Sequence, residues 1–128
     1  MSRIAVGVGC RKGCEADVIE RVVNRALSVL RDDARYTLLG LFTLADKKGE
    51  PGLTKAAARL SLGLTFLSRE ALRAEAPRVL TSAPHAQAAF AVPSVAEASA
   101  LAGAGPNAIL IVPRITEGGA TCAVAEAS

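Results

Sequence analysis

The first part of the chain passes from a continuous apolar run to apolar positions with helical spacing. The run over residues 3–8 predicts a buried strand, and Gly7 and Gly9 then allow the backbone to turn. From Glu15 onward, apolar residues recur every three or four positions with charged residues between them, which predicts an amphipathic helix. The apolar stripe of this helix consists of Val18, Ile19, Val22, Val23, Ala26, Leu27 and Leu30.

The remainder of the chain alternates in the same way. Apolar runs predict four more strands, at residues 36–44, 64–67, 108–112 and 121–125. Helical patterns lie between them, at residues 53–63, 68–75 and from 94 to a glycine at 103 or 105. Ser94 and Glu97 have the spacing of a capping box, in which each side chain binds the other residue's backbone N–H, and this accounts for both residues without a catalytic role. Residues 76–93 predict a loop with one helical turn near 86–89.

This alternation predicts an α/β fold with three layers, α/β/α, in which helices cover both faces of a mixed, mostly parallel sheet of about five strands. Only a few residues separate the last two strands, so we expect this pair to be antiparallel. No repeat, low-complexity tail or break in composition divides the chain. Residues 1–128 are therefore predicted to form a single domain.

Composition narrows the classes of function. The formal net charge is +3 and the basic residues are spread along the chain, which suits a small ligand with several carboxylates or phosphates better than a polyanion. One Tyr, three Phe and no Trp leave few stacking surfaces for bases, so no nucleic-acid partner is expected. No apolar run reaches the roughly 18 residues of a membrane span. We therefore expect a cytoplasmic protein with no membrane partner and with free cysteine thiols.

The stretch GVGCRKGC, residues 7–14, is the first candidate site. It joins a strand to a helix, so free backbone N–H groups are expected at the positive end of a helix dipole, where they would hold an anion. Arg11 and Lys12 would add positive charge, and the same field would lower the pKa of the Cys10 thiol. The alternative is an ordinary glycine turn. No metal is expected, because Cys10 and Cys14 do not have the spacing of a zinc-binding pair.

Further candidates lie in loops after later strands. Lys47 and Glu50 follow the second strand, at the edge where open α/β sheets bind ligands, and are candidates for binding or proton transfer. The alternative is a solvated loop in which Glu50 stabilises the next helix. Arg114 follows a predicted strand end at Pro113 and would either bind a carboxylate or be a solvated residue. His85 is expected in an exposed loop.

Three segments together resemble one known family. The segments VGVGCRKGCEADVI, KKGEPGL and VPSVAEASALAGAGPNAILIVPR followed by GATCAVAEA are similar, in order and spacing, to the CobE/CbiG C-terminal family of cobalamin-biosynthesis proteins in its free-standing form. Cys14 and Arg114 depart from the family pattern, which usually has Thr or Ser and Lys there. The family's signature positions fall on Gly7, Gly9, Cys10, Arg11, Gly13, Lys47, Glu50, Pro51, Gly52, Leu53, Ser94, Val95, Glu97, Ala98 and Thr121.

The resemblance implies a three-layer α/β/α fold and a role in building the corrin ring, with other enzymes of the pathway as further partners. The implied ligand is a precorrin or corrin intermediate, a macrocycle fringed with carboxylates, held by an auxiliary or carrier protein without a cofactor. The alternative is an enzyme that opens a lactone or deacylates a precorrin, with Lys47 and Glu50 as an acid/base pair. The expected ligand-binding residues are Gly9, Cys10, Arg11, Lys12, Gly13, Lys47, Glu50, Ser94, Arg114 and Thr121.

Overall fold

Strands and helices alternate along the chain in the computed structural model, which describes residues 2–30, 35–80 and 94–128. The predicted helical turn near 86–89 and His85 lie outside these residues. The strands are β1 (Ser2–Cys10), β2 (Tyr36–Leu44), β3 (Leu64–Leu67), β4 (Ile109–Glu117) and β5 (Ala120–Glu126). The α-helices of the described part are α1 (Ala16–Ser28), α2 (Pro51–Leu60), α3 (Arg69–Ala74) and α4 (Val95–Ala104), and short 3-10 helices span Ala45–Lys47 and Ala76–Arg78.

The five strands form one sheet in the order β3-β2-β1-β5-β4. The pairs β1–β2 and β2–β3 are parallel, whereas β5 is antiparallel to both of its neighbours, β1 and β4. Of the strands that the structure describes, β1, β2, β3 and β4 therefore point in one direction and β5 is reversed. The predicted mixed, mostly parallel sheet is confirmed, as is the antiparallel pairing of the last two strands.

Helices cover both faces of the sheet. On one face, the apolar stripe of α1 packs with α2 over the strands, around the fully buried side chains of Ile19, Val22 and Leu53. On the other face, α4 packs against β5 and α3 adjoins α4, with Leu101 and Leu72 buried. The predicted three layers are confirmed. None of the helices within residues 2–30, 35–80 and 94–128 has the length and apolar character to cross a membrane.

Strand β1 continues through Gly7 and Gly9 to Cys10, so the prediction that these glycines turn the chain was wrong. Gly7 instead lets α4 approach the sheet, because a Cβ at this position would lie 1.9 Å from the carbonyl oxygen of Ala96. Gly9 makes room for Thr121 on β5, whose Oγ1 would lie 2.7 Å from a Cβ. Gly7 is therefore required by packing against the backbone of α4, whereas a side chain at Gly9 would displace the Thr121 hydroxyl.

Strand β4 also extends further than predicted and runs through Pro113 to Glu117. It is an edge strand, and an edge is where a sheet tolerates a proline that lacks an N–H group. The register of β4 against β5 shifts between Val112 and Ile115, so Pro113 and Arg114 occupy an irregular part of the ladder. The prediction that Arg114 follows the end of a strand was therefore wrong.

The amino end of β1 and the carboxyl end of β5 lie at the same end of the sheet, measured along the strands, because the two strands are antiparallel. Ala127 donates its backbone N–H to the carbonyl oxygen of Arg3 at 2.8 Å. The carboxyl ends of β1 and β2 lie at the opposite end of the sheet, and most of the candidate residues lie there.

Candidate functional site

The turn 10–13 and the loop 47–50 follow the carboxyl ends of β1 and β2, and we call these two segments the rim. Since β1 and β2 are parallel neighbours, their carboxyl ends share one edge of the sheet. The helices α1 and α2 begin directly beyond these segments. The rim therefore lies beside the amino ends of two helices, where the partial charge of the helix dipole is positive.

Direct contacts join the two segments of the rim. Gly13 donates its N–H to Oε1 of Glu50 at 2.6 Å. At the start of α2, a Cβ at Gly52 would lie 2.1 Å from the carbonyl oxygen of Cys14, so only glycine lets the helix come this close. Arg11 donates its N–H to the carbonyl oxygen of Gly119, in the turn between β4 and β5, at 2.8 Å. The turn 10–13 is thus held by the loop 47–50 on one side and by the turn between β4 and β5 on the other.

These bonds change the expected chemistry of the glycine-rich stretch. The N–H groups of Arg11 and Gly13 are already bound, and that of Cys14 donates to the carbonyl oxygen of Arg11 at 3.1 Å. The prediction of a cradle of free N–H groups was wrong at these three residues, because the anion beside Gly13 is the protein's own Glu50 carboxylate. Glu50 also precedes α2 as its N-cap residue, although its side chain makes no capping bond to that helix.

The cysteines are free thiols, and burial governs their protonation. Burial raises the pKa of Cys10 to about 11, against the opposing effect of the positive charge of Lys47. Burial, with the negative charge of Glu50, also raises the pKa of Cys14. The predicted lowering of the Cys10 pKa was therefore wrong, because loss of solvent outweighs the favourable field. Within the described part of the chain, no group of three or more His, Cys, Asp or Glu residues could hold a metal ion.

The rim carries cationic side chains that pair with no acidic residue in the part of the chain that the structure describes. Arg11 and Lys12 are exposed and Lys47 is half-buried, and none of the three is in a salt bridge with any residue of the described ranges. Several arginines elsewhere are paired, as Arg25 is with Glu117 at 3.0 Å. The unpaired charge at the rim is therefore open to a ligand.

A cavity of about 400 Å³ lies beside the rim, between the first turns of α1 and α2. Its lining includes Gly13 and Cys14, with Lys55 and Arg59 further along α2. Gly13 is the only predicted binding residue in that lining. The exposed rim cations project from the neighbouring turn rather than from the walls of this cavity.

The amino end of α4 lies on the other face of the sheet, near Gly9. The Val95 side chain at this end of the helix would be 3.6 Å from a Cβ added at Gly9. Ser94 Oγ accepts the N–H of Glu97 at 3.2 Å, which confirms the Ser94 half of the predicted capping box. Ser94 is almost completely buried, so its hydroxyl serves the helix. Thr121 Oγ1 donates to the carbonyl oxygen of Gly9 at 3.4 Å and joins β5 to β1.

Glu97 has a role that the capping box did not predict. Its carboxylate is fully buried and accepts two backbone N–H groups, from Leu80 at 2.8 Å and from Arg114 at 2.9 Å. Glu97 is the only charged residue in the helix VAEASALAGA. A charge in a helix that is apolar on all sides indicates a buried group with specific partners, and this signal was available in the sequence. Arg114 itself lies on β4, next to Ile115, which is level with Cys122 on β5 and with Val8 near the carboxyl end of β1.

Comparison with known proteins identifies the family. The family model described as "Cobalamin synthesis G C-terminus" matches residues 4–125. Protein CobE of Sinorhizobium sp. is 31% identical over 125 residues, which cover 95% of this chain and 79% of that protein. The crystal structure of CobE, a protein from the cobalamin (vitamin B12) biosynthetic pathway, superposes with a TM-score of 0.87 at 32% identity and covers 99% of this chain and 92% of that one.

A second solved structure, the cobalamin biosynthesis protein chiG from Agrobacterium tumefaciens str. C58, superposes with a TM-score of 0.74 at 35% identity and covers 98% of both chains. The match of the family model over nearly the whole chain and the agreement in fold confirm the resemblance seen in the sequence. The chain therefore belongs to the family of the cobalamin synthesis G C-terminus and is a cobalamin biosynthesis protein with the fold of CobE.

Proposed function

We propose that this protein binds a carboxylate-rich precorrin or corrin intermediate at the rim, as an auxiliary or carrier protein of cobalamin biosynthesis. The observation that carries the proposal is a group of three cations at the carboxyl ends of β1 and β2, Arg11, Lys12 and Lys47, none of which is paired with an acidic residue of the described ranges. Corrin intermediates carry acetate and propionate side chains around the ring. Such a ligand presents several carboxylates at once to several cations.

The energetics require several contacts. A single exposed ion pair contributes about 1 kcal/mol or less, so useful affinity needs more than one carboxylate to be bound at the same time. We place this binding in the cytoplasm, in keeping with the free thiols of the chain.

A titration of the purified protein with hydrogenobyrinic acid, a cobalt-free corrin acid, tests the proposal through the ligand's absorbance spectrum. Single substitutions Arg11→Gln and Lys47→Gln should each weaken binding by up to about fivefold, the equivalent of roughly 1 kcal/mol. Arg3→Gln is the matched control, because Arg3 is an exposed cation at the opposite edge of the sheet. An equal loss in Arg3→Gln would indicate attraction by net charge alone. No spectral change at high micromolar protein would refute the proposal.

The second candidate function is an enzyme that opens a lactone or deacylates the same class of ligand, with Lys47 and Glu50 as the acid/base pair. Both side chains lie at the rim, which favours this candidate. However, the bond from Gly13 to Glu50 already gives this carboxylate a role in holding the turn. If Glu50 is catalytic, Glu50→Gln should abolish product formation and leave ligand binding nearly intact. Product formation is measured by mass spectrometry. Loss of binding alone would favour the carrier function.

A further inference from the structure

We propose that Glu97 is a positioning residue that holds Arg114 in place for a carboxylate of the ligand, an inference that rests on the binding function proposed above. Glu97 lies in the first turn of α4 and is fully buried. Its two oxygens accept the N–H groups of Leu80 and Arg114. One carboxylate thereby joins the start of a helix, the chain after α3 and the edge strand β4.

The cap of α4 does not account for this carboxylate. Ser94 Oγ already accepts the N–H of Glu97, which satisfies a donor in the first turn of the helix. Removing a carboxylate from water is very unfavourable unless strong hydrogen bonds replace the lost hydration. The two backbone N–H groups supply such bonds, so the charge is kept in the interior for contacts outside its own helix.

The place where Glu97 holds β4 is the irregular part of that strand. The register with β5 pairs Val112 with Val124 and then Ile115 with Cys122, which skips the regular pairing of Pro113 and Arg114. Among the described strands, none pairs with the other side of β4. Glu97 therefore gives the Arg114 backbone an anchor that the neighbouring strand does not give in the usual register.

The side chain of Arg114 is suited to a ligand carboxylate. Arg114 is half-buried, and its guanidinium is in no ion pair with any residue of the described ranges. A planar guanidinium binds a carboxylate well only in a defined orientation. Because Glu97 holds the backbone N–H of Arg114, it fixes the point on β4 from which the guanidinium extends.

A double-mutant cycle on ligand affinity tests this coupling. Hydrogenobyrinic acid is titrated against the wild type, Arg114→Gln, Glu97→Gln and the double variant, each first shown to be folded by circular dichroism. We expect Arg114→Gln to weaken binding about fivefold. We expect Glu97→Gln to weaken it by a similar factor, and the double variant to bind no worse than either single variant, because both changes remove one contact. Ile4→Val, a buried change at the far edge of the sheet, is the control for lost stability alone.

Each outcome decides the inference. Losses that multiply in the double variant, or a Glu97→Gln variant that binds like the wild type, would overturn the role of Glu97 and leave the binding function intact. A wild-type protein that does not bind the corrin acid would refute the binding function and this inference with it. If Glu97→Gln does not fold, Glu97→Asp replaces it in the cycle. Failure of both variants to fold would assign Glu97 to folding and overturn the inference.

Discussion

The sharpest test of the rim's construction is Gly52→Ala, at the start of α2. A Cβ at Gly52 would lie 2.1 Å from the carbonyl oxygen of Cys14, where such contacts need at least 3.0 Å, so the two backbones must separate by about 0.9 Å. Neither partner is the flexible end of a side chain, so the strain cannot be relieved by a rotamer change. Forced overpacking of this kind typically costs about 1–3 kcal/mol. The same displacement would stretch the bond from Gly13 to Glu50.

Helix propensity has the opposite sign at this position, which makes the measurement decisive. Alanine is favoured over glycine inside a helix by up to about 1 kcal/mol, so without the contact Gly52→Ala would be stabilising. The overpacking cost less this gain leaves an expected fall in the free energy of unfolding of up to about 2 kcal/mol, measured by urea denaturation with far-ultraviolet circular dichroism as the signal. Gly49→Ala is the matched control, because a Cβ at Gly49 meets nothing within 4 Å. A Gly52→Ala protein more stable than the wild type, as helix propensity alone predicts, would refute the packing of α2 against the turn.

Three further predictions concern buried groups. Ser94→Ala removes the acceptor for the N–H of Glu97 and should lower the free energy of unfolding by about 1 kcal/mol in urea, so an unchanged midpoint would contradict the cap. Thr43→Val removes a buried donor, 2.6 Å from the carbonyl oxygen of Val8, and should cost about 1–2 kcal/mol in the same assay, whereas a neutral result would mean that this bond contributes nothing. Cys10, with a folded-state pKa of about 11 against 9.0 for an exposed thiol, should be alkylated slowly by iodoacetamide at pH 7, as followed by mass spectrometry. Its contribution to stability should be complete below pH 9 and lost as the pH rises to about 11, and rapid alkylation at pH 7 would contradict the burial.

The strand and helix order was predictable because it depends on local patterns of apolar residues. The continuous apolar run of β2 and the apolar stripe of α1 each indicate, from a few neighbouring residues, which side chains are buried. The placement of Lys47 beside Cys10 was also predictable, because neighbouring parallel strands end on the same side of the sheet, which is a general property of α/β folds.

The errors share one physical cause, which is contact between parts of the chain that are distant in sequence. Gly7 reads locally as a turn residue, but Ala96, which requires its lack of a side chain, is 89 positions away. Pro113 reads as the end of a strand, because the sequence does not reveal that β4 is at the edge. Glu97 matched a local capping motif, while its partner Arg114 comes from another element.

The reversed direction of β5 has a practical consequence for handling the molecule. Ser2 and Ala127 lie together at one edge of the sheet, and the rim is at the other. A surface tether, fluorescent reporter or fused enzyme attached to either end would therefore point away from the rim. Immobilised copies should face outward with Arg11 and Lys12 accessible, whichever end is used for attachment.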